Sequence, residues 1–208
     1  MMSQLWFELS EMFHKSPNNI CVHEQTKYDN DILSKMGVIQ NSVLGQIVTN
    51  AYGIVVDNLV RVYANGDEKE SHNIYSYNRE LEKSFGNKKL FVADDVFGGL
   101  YAMNNGAFEG DQGMIWYFAP DTLEWDNLGI SYPEFITWIS SSNFRDFYST
   151  FIWNDLQKDI CDISFNQGVL IYPFLWSNEC TIETADKTVV PFIELISLNL
   201  ENKKKLGL

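Results

Sequence analysis

Five carboxylates near the middle of the chain have types and spacing that chemistry can use: the adjacent pair Asp94 and Asp95, then Asp121, Glu124 and Asp126. Paired carboxylates can bind calcium through their oxygens or divide the acid and base roles of a proton transfer. Aspartate is also selected in turns because its side chain bonds to nearby backbone, so solvated turn acids are the simpler expectation for all five. Glu109 and Asp111 make a further acidic pair among Gly106, Gly110 and Gly113. No Lys-Ser or Lys-Thr follows those glycines, so they do not form a phosphate-binding loop. Cys21 and His23 lie two apart, which on a strand places both on one face. They amount to half a zinc site, but a structural site needs four ligands and no second pair has the usual spacing. The Gly-x-Ser-x-Gly, His-Glu-x-x-His and Cys-x-x-Cys patterns are absent as well. No catalytic residue, metal or cofactor is therefore expected.

Charge narrows the choice of partner. The 208 residues carry 28 acidic against 15 basic side chains, a formal net charge of −13. Nucleic-acid binding needs Lys and Arg to neutralise phosphates, and anionic membrane surfaces need the same, so both partners are disfavoured. Such a charge keeps a protein dispersed, and it also suits a cationic partner. Three widely spaced cysteines, Cys21, Cys161 and Cys180, suit a reducing compartment rather than a disulfide framework. Glu8 and Glu11 interrupt the first apolar residues, which argues against a signal peptide, and no apolar stretch approaches the ~20 residues that span a bilayer. The expectation is one soluble cytoplasmic domain, with 45% hydrophobic and 14% aromatic residues to build its core.

The elements that must position these residues follow from periodicity. Leu5, Leu9, Met12 and Phe13 mark a helix over residues 3–14, and residues 20–23 suit a strand. A helix is expected over residues 41–51, capped near Gly53. Two β-rich runs flank Asp57-Asn58 and predict a hairpin. A polar loop over residues 65–72 leads to a helix over residues 74–85 that Gly86 closes. Short runs at residues 90–93, 100–103, 114–118 and 123–125 are separated by Gly-Gly, Asn-Asn-Gly and Pro-Asp-Thr connectors, which predicts an antiparallel meander. In a meander the first and third connectors share one end of the sheet. Asp94, Asp95 and Asp121 can thus converge there, while Glu109 and Asp111 emerge at the other end.

Ser131-Tyr132-Pro133-Glu134 then has the form of a capping box, and a second helix follows from Asn143. Residues 169–172 suit a strand that Pro173 ends. Residues 189–200 read as strand or helix, with Pro191 favouring a helix that starts there. Phe91, Leu100, Ile115, Phe135, Ile139 and Phe151 are expected in the core. Trp116, Tyr117 and Phe118 are consecutive, so either both sheet faces are covered or one exposes aromatic surface.

Residues 90–95, 100–104 and 114–118, continuing through Asp121-Thr122-Leu123-Glu124-Trp125, Leu128-Gly129 and residues 131–139, resemble the SUKH superfamily in the order of strand, glycine turn, strand, aromatic strand, acidic turn and helix. The whole chain also resembles an uncharacterised bacterial family at Gly53 with Asp57-Asn58, at Asn78-Arg79, Gly98-Gly99, Tyr172-Pro173-Phe174-Leu175-Trp176 and Val190-Pro191. The SUKH resemblance implies an α+β domain, a mainly antiparallel central sheet with helices packed against it. Many bacterial members of that superfamily are immunity proteins that bind and neutralise toxins. It implies a non-enzymatic protein-binding role, and the net charge of −13 with the shared sheet end makes Asp94, Asp95, Asp121, Glu124 and Asp126 the expected acidic face for a basic toxin. The alternatives are an enzyme or metal-binding protein that uses the carboxylates near Asp94, Asp95 and Asp121, and a small-ligand binder with an aromatic pocket near Trp116 and Trp176.

Overall fold

The computed structural model describes residues 3–25, 31–67 and 72–208. Seven strands run in chain order across one antiparallel sheet: β1 (Ile20–Glu24), β2 (Ala51–Val56), β3 (Val60–Tyr63), β4 (Lys89–Asp95), β5 (Leu100–Asn104), β6 (Met114–Phe118) and β7 (Trp125–Ser131). The meander read from residues 90–126 is the second half of this longer one. A separate hairpin joins β8 (Gln167–Tyr172) to β9 (Asp186–Pro191). Helices α1 (Gln4–His14), α2 (Asp31–Met36), α3 (Val43–Asn50), α4 (Ile74–Phe85), α5 (Tyr132–Ile139), α6 (Asn143–Phe147), α7 (Leu156–Asp159) and α8 (Phe192–Leu206) complete the α+β architecture.

Local chemistry fixes the connections. Asp57 and Asn58 both take left-handed φ, 51° and 57°, the two-residue turn whose twist matches antiparallel strands. Between β4 and β5 a Cβ on Gly99 would collide with the side chains of Asp95 and Tyr117, so only glycine fits. At α5, Glu134 Oε2 accepts from the Ser131 N–H at 2.8 Å and from its hydroxyl at 2.6 Å, the reciprocal bond of the expected box. Asn78 of α4 clamps that helix to β4: its Oδ1 accepts from the Phe91 N–H at 2.7 Å and its Nδ2 donates to the Phe91 carbonyl at 2.8 Å.

Register divides the side chains between two faces. Arg61, Asp94, Leu100 and Phe118 form one row. Phe118 packs on Phe85 of α4 and Arg61 lies over the ring of Phe192 of α8, so those helices cover this face. Ala93, Tyr101 and Tyr117 form the adjacent row, and Tyr101 meets Phe135 and Trp138 of α5 on the opposite face. Both faces are covered, which accounts for the aromatic run of β6. The six residues expected in the core are buried, and the buried apolar side chains other than Phe165 and Leu195 form one continuous cluster.

Several boundaries differ from expectation. Gly53 lies inside β2, paired with His23 and Tyr63, rather than capping α3, because the β-branched run after it draws residues 51–53 into the sheet. The strand expected at residues 123–125 starts at Trp125; Leu123 takes φ 59° in the turn and is fully buried. As the edge strand β7 has a solvent side, so its polar residues Asp126 and Asn127 resemble a loop. The helix from Asn143 breaks after Phe147 into a 3₁₀ turn, Ser149–Phe151. Pro191 ends β9 and immediately precedes α8, so the stretch read as strand or helix is both in succession. Residues 68–71 of the expected loop lie outside the described residues.

Candidate functional site

Alternation along β4 sends Asp94 and Asp95 to opposite faces. Arg61 Nε donates to Asp94 Oδ1 at 2.5 Å, and the Tyr63 hydroxyl donates to Oδ2 at 2.7 Å. Asp95 Oδ1 accepts the Phe97 and Gly99 N–H groups, both at 2.9 Å. Its Oδ2 accepts the hydroxyls of Tyr117 at 2.7 Å and Tyr148 at 2.9 Å. With its proton on Asp95, the Tyr148 hydroxyl oxygen accepts from the Tyr101 hydroxyl at 2.5 Å. Both carboxylates are 0% exposed.

This corrects the expectation that Asp94 and Asp95 belong to an exposed acidic rim. Each is an internal acceptor, one held by a cation and the other by two backbone amides and two hydroxyls. Burial pushes Asp94 up to about 6, against the pull of Arg61 and Tyr63. Burial also raises Asp95, resisted chiefly by the Tyr117 hydroxyl and the Gly99 amide. The same burial, with the charge of Asp95, raises Tyr101, Tyr117 and Tyr148.

Asp121, Glu124 and Asp126 are exposed. They belong to the β6–β7 connection and to the start of β7, at the sheet end that the meander shares with the β4–β5 turn. Among the described residues the ion pairs lie elsewhere. Lys203 of α8 reaches this turn and donates to the Leu123 carbonyl at 2.8 Å. Glu109 and Asp111 belong to the β5–β6 loop at the opposite end, as the topology requires.

A cavity of about 390 Å³ opens on the Arg61 face, lined by Cys21, His23, Val55, Asn58, Arg61 and the 163–165 segment among others. Register explains the grouping, since Cys21 pairs with Val55 and Val55 with Arg61 across β1, β2 and β3. The His23 ring stands edge-on to Phe165 at 5.8 Å. Cys21 and His23 do share a face, as their spacing predicts. Among the described residues no three His, Cys, Asp or Glu side chains are grouped to hold a metal ion. Trp116 stacks on Phe108 at 4.3 Å and Trp176 on Phe174 at 5.1 Å, and neither lines this cavity. No described helix is long and apolar enough to cross a membrane.

The sequence reading includes Asp57 only as a turn residue and gives Arg61 no partner. Asp57 accepts from the Asn19 N–H at 2.7 Å and pairs with Arg145 of α6 at 2.9 Å, joining the β2–β3 turn to the helical face. Arg61 left a legible signal: a lone cation inside Leu59-Val60-Arg61-Val62-Tyr63 must find an acceptor when both faces are buried.

Residues 2–195 match the model of a protein family described as of unknown function, DUF2625. The chain belongs to the DUF2625 family. It is 31% identical over 173 residues to the uncharacterised protein YbfG of Escherichia coli (strain K12), covering 83% of this chain and 79% of that one. It is 26% identical over 212 aligned positions to an uncharacterised protein of Haemophilus influenzae (strain ATCC 51907 / DSM 11121 / KW20 / Rd), covering 98% and 92%. The resemblance to an uncharacterised bacterial family is thereby substantiated. The DUF2625 match runs from α1 into α8, so it spans the sheet, the cavity and the acidic β6–β7 turn.

Proposed function

We propose that the protein is a non-enzymatic protein-binding domain that takes a cationic protein partner, in the manner of an immunity protein neutralising a basic toxin. The observation that carries this reading is the division of the five central carboxylates. Asp94 and Asp95, which acid–base or metal chemistry would need, are enclosed and bonded within the fold. A general base must come within hydrogen-bond reach of its substrate, and neither can without dismantling the sheet. Asp121, Glu124 and Asp126 remain at the surface of a chain with net charge −13. The SUKH resemblance supports the same reading, because the residues that carry it form β4 to β7 and α5 in unbroken succession.

Capture of binding proteins from a bacterial lysate, followed by stopped-flow kinetics on any purified partner, tests the proposal. Association should slow as salt rises through physiological strength while dissociation changes less, since surface charge mainly steers encounter. An acidic partner, or association indifferent to salt, would discard the electrostatic mechanism. For the immunity reading, co-expression should restore growth to cells that carry the captured partner as a toxin.

A further inference from the structure

We infer that the aromatic row of Tyr172, Phe174 and Trp176 is a docking surface for an arginine side chain of the cationic protein partner, which rests on the proposed cationic-partner reading. Tyr172 ends β8 and is 60% exposed, the most exposed aromatic side chain among the described residues. Its ring meets Phe174 edge-on at 5.6 Å, and Phe174 stacks on Trp176 at 5.1 Å. Phe174 and Trp176 are half-buried, so the row runs from open surface into the body of the protein. Val169 and Ile171 of the same strand are buried, so the fold has an interior here and still leaves the rings at its surface. Contiguous exposed apolar groups mark interaction sites, and tyrosine and tryptophan are enriched among the residues that carry most of the binding energy there.

The acids around the row say what it takes. Asp186 stands directly across from Tyr172 in the β8–β9 pair, with about 4.5–5.5 Å between such Cβ atoms. It is exposed and makes no ion pair among the described residues. At the other end of the row, Pro120 shares a small cleft with Phe174, Leu175 and Trp176, which brings the β6–β7 turn against it. Asp121, the next residue, is the first of the exposed acids of that turn. Lys203, which reaches the same turn, is engaged by the Leu123 carbonyl. The face of an aromatic ring attracts a cation, and a carboxylate beside it attracts the same cation further. Arginine meets both demands: its planar guanidinium lies flat on a ring while its edge bonds a carboxylate, whereas an ammonium is a strongly hydrated point charge. Rings beside an acidic rim also divide the work, the rim speeding encounter and the rings slowing departure.

Peptides that alternate glycine with arginine, lysine or citrulline probe the full chain, and the side-chain NMR signals of Tyr172 and Trp176 give the readout. The arginine peptide should shift those signals and bind about threefold more tightly than the lysine peptide, while the neutral citrulline peptide should not bind. Tyr172→Leu keeps an apolar group at an exposed position, so its Tm should hold, and it should bind the arginine peptide about threefold more weakly. Asp186→Asn should weaken the same peptide at low salt and do so less at physiological salt. Equal binding by the native and Tyr172→Leu chains overturns the inference and leaves the cationic-partner reading standing. No shift of either signal by the arginine peptide at about 1 mM also overturns the inference alone, because that reading falls only with an acidic or salt-indifferent partner. Citrulline that binds as tightly as arginine overturns it too, since the row would then select rings and not charge. So does a native chain that dimerises while the Tyr172→Leu chain stays monomeric, which would assign the row to a second copy of the chain.

Discussion

Asp94 and Asp95 are chemically identical neighbours that the sheet treats in opposite ways. On the Arg61 face a carboxylate and a guanidinium neutralise each other, and among the described residues one guanidinium nitrogen, itself enclosed, has no acceptor. On the α5 and α6 face the charge meets no cation among the described residues; two amides and two tyrosine hydroxyls satisfy Asp95 completely. Buried ion pairs contribute little net stability, because desolvation offsets attraction, whereas a fully bonded carboxylate also organises the turn that bonds it. The Asp95 side is thus the one that organises a turn, and the Asp94 side is the one whose pair an apolar substitute can replace.

The largest effect should come from Asp95→Ala. It leaves two backbone amides and two hydroxyls without an acceptor in a site closed to water, and about 5 kcal/mol of stability should be lost, enough to unfold many domains. Chemical denaturation monitored by tryptophan fluorescence measures it. A loss below about 2 kcal/mol, the scale of an ordinary core substitution, would mean that water or neighbouring groups replace the carboxylate and that the two sites are less different than their geometry.

Arg61→Met should cost somewhat less, about 3–5 kcal/mol, because it strands the Asp94 charge rather than a turn. Adding Asp94→Leu should restore much of that loss, since a buried pair can often be replaced by apolar residues of similar volume at little cost. No rescue partner of that kind exists for Asp95, which makes the double variant the sharpest contrast between the two sites.

Acid and base groups on the Arg61 face should also pull stability in opposite directions. Asp94 lies at about 6, raised by burial from 3.8, so between those values the folded state holds a proton that the unfolded chain has released. Its contribution is full below pH 4 and is lost as pH rises through 6. His72 stacks on Tyr77 at 3.6 Å and sits at about 4, lowered from 6.5 by burial and then by Arg61. Its contribution is present above pH 6.5 and is lost as pH falls through 4. The two slopes oppose each other across this window. Asp94→Asn should steepen the rise of stability with pH, and His72→Phe should turn it towards a fall. Denaturation midpoints at several pH values between 4 and 7 would show whether the variants diverge in this way; parallel curves would remove both residues from the account.

Much of the frame was legible in the sequence because its signals are local. Asp57-Asn58, the Ser131–Glu134 box and Gly86 after α4 each state their geometry within four residues. The candidate site was not legible for the opposite reason. Arg61 meets Asp94 across 33 positions, and Asp95 meets Tyr148 across 53. Aspartate beside Gly98-Gly99 correctly announced a turn, yet the same turn carries its acceptor inward, a fact that depends on tyrosines from β6 and the segment after α6. The cavity likewise exists only because residues 163–165 fold back over β1 to β3, and nothing periodic marks that return.

The smallest effect on stability should come from the acids left outside. Asp121→Asn, Glu124→Gln and Asp126→Asn together remove charge from the sheet end that Asp94 and Asp95 approach from within. Exposed and without an ion pair among the described residues, these side chains should alter unfolding free energy by less than about 0.5 kcal/mol, or raise it slightly by easing repulsion. Their effect belongs to encounter instead. If the proposed cationic partner docks here, the triple variant should associate several-fold more slowly at low salt, and the difference should shrink as salt screens the native chain, because the Debye length falls to about 8 Å at physiological strength. Dissociation should hardly move. Equal association rates for variant and native chains at low salt would place the partner elsewhere, while a large loss of stability would mean that the outer acids, like the inner ones, serve the fold.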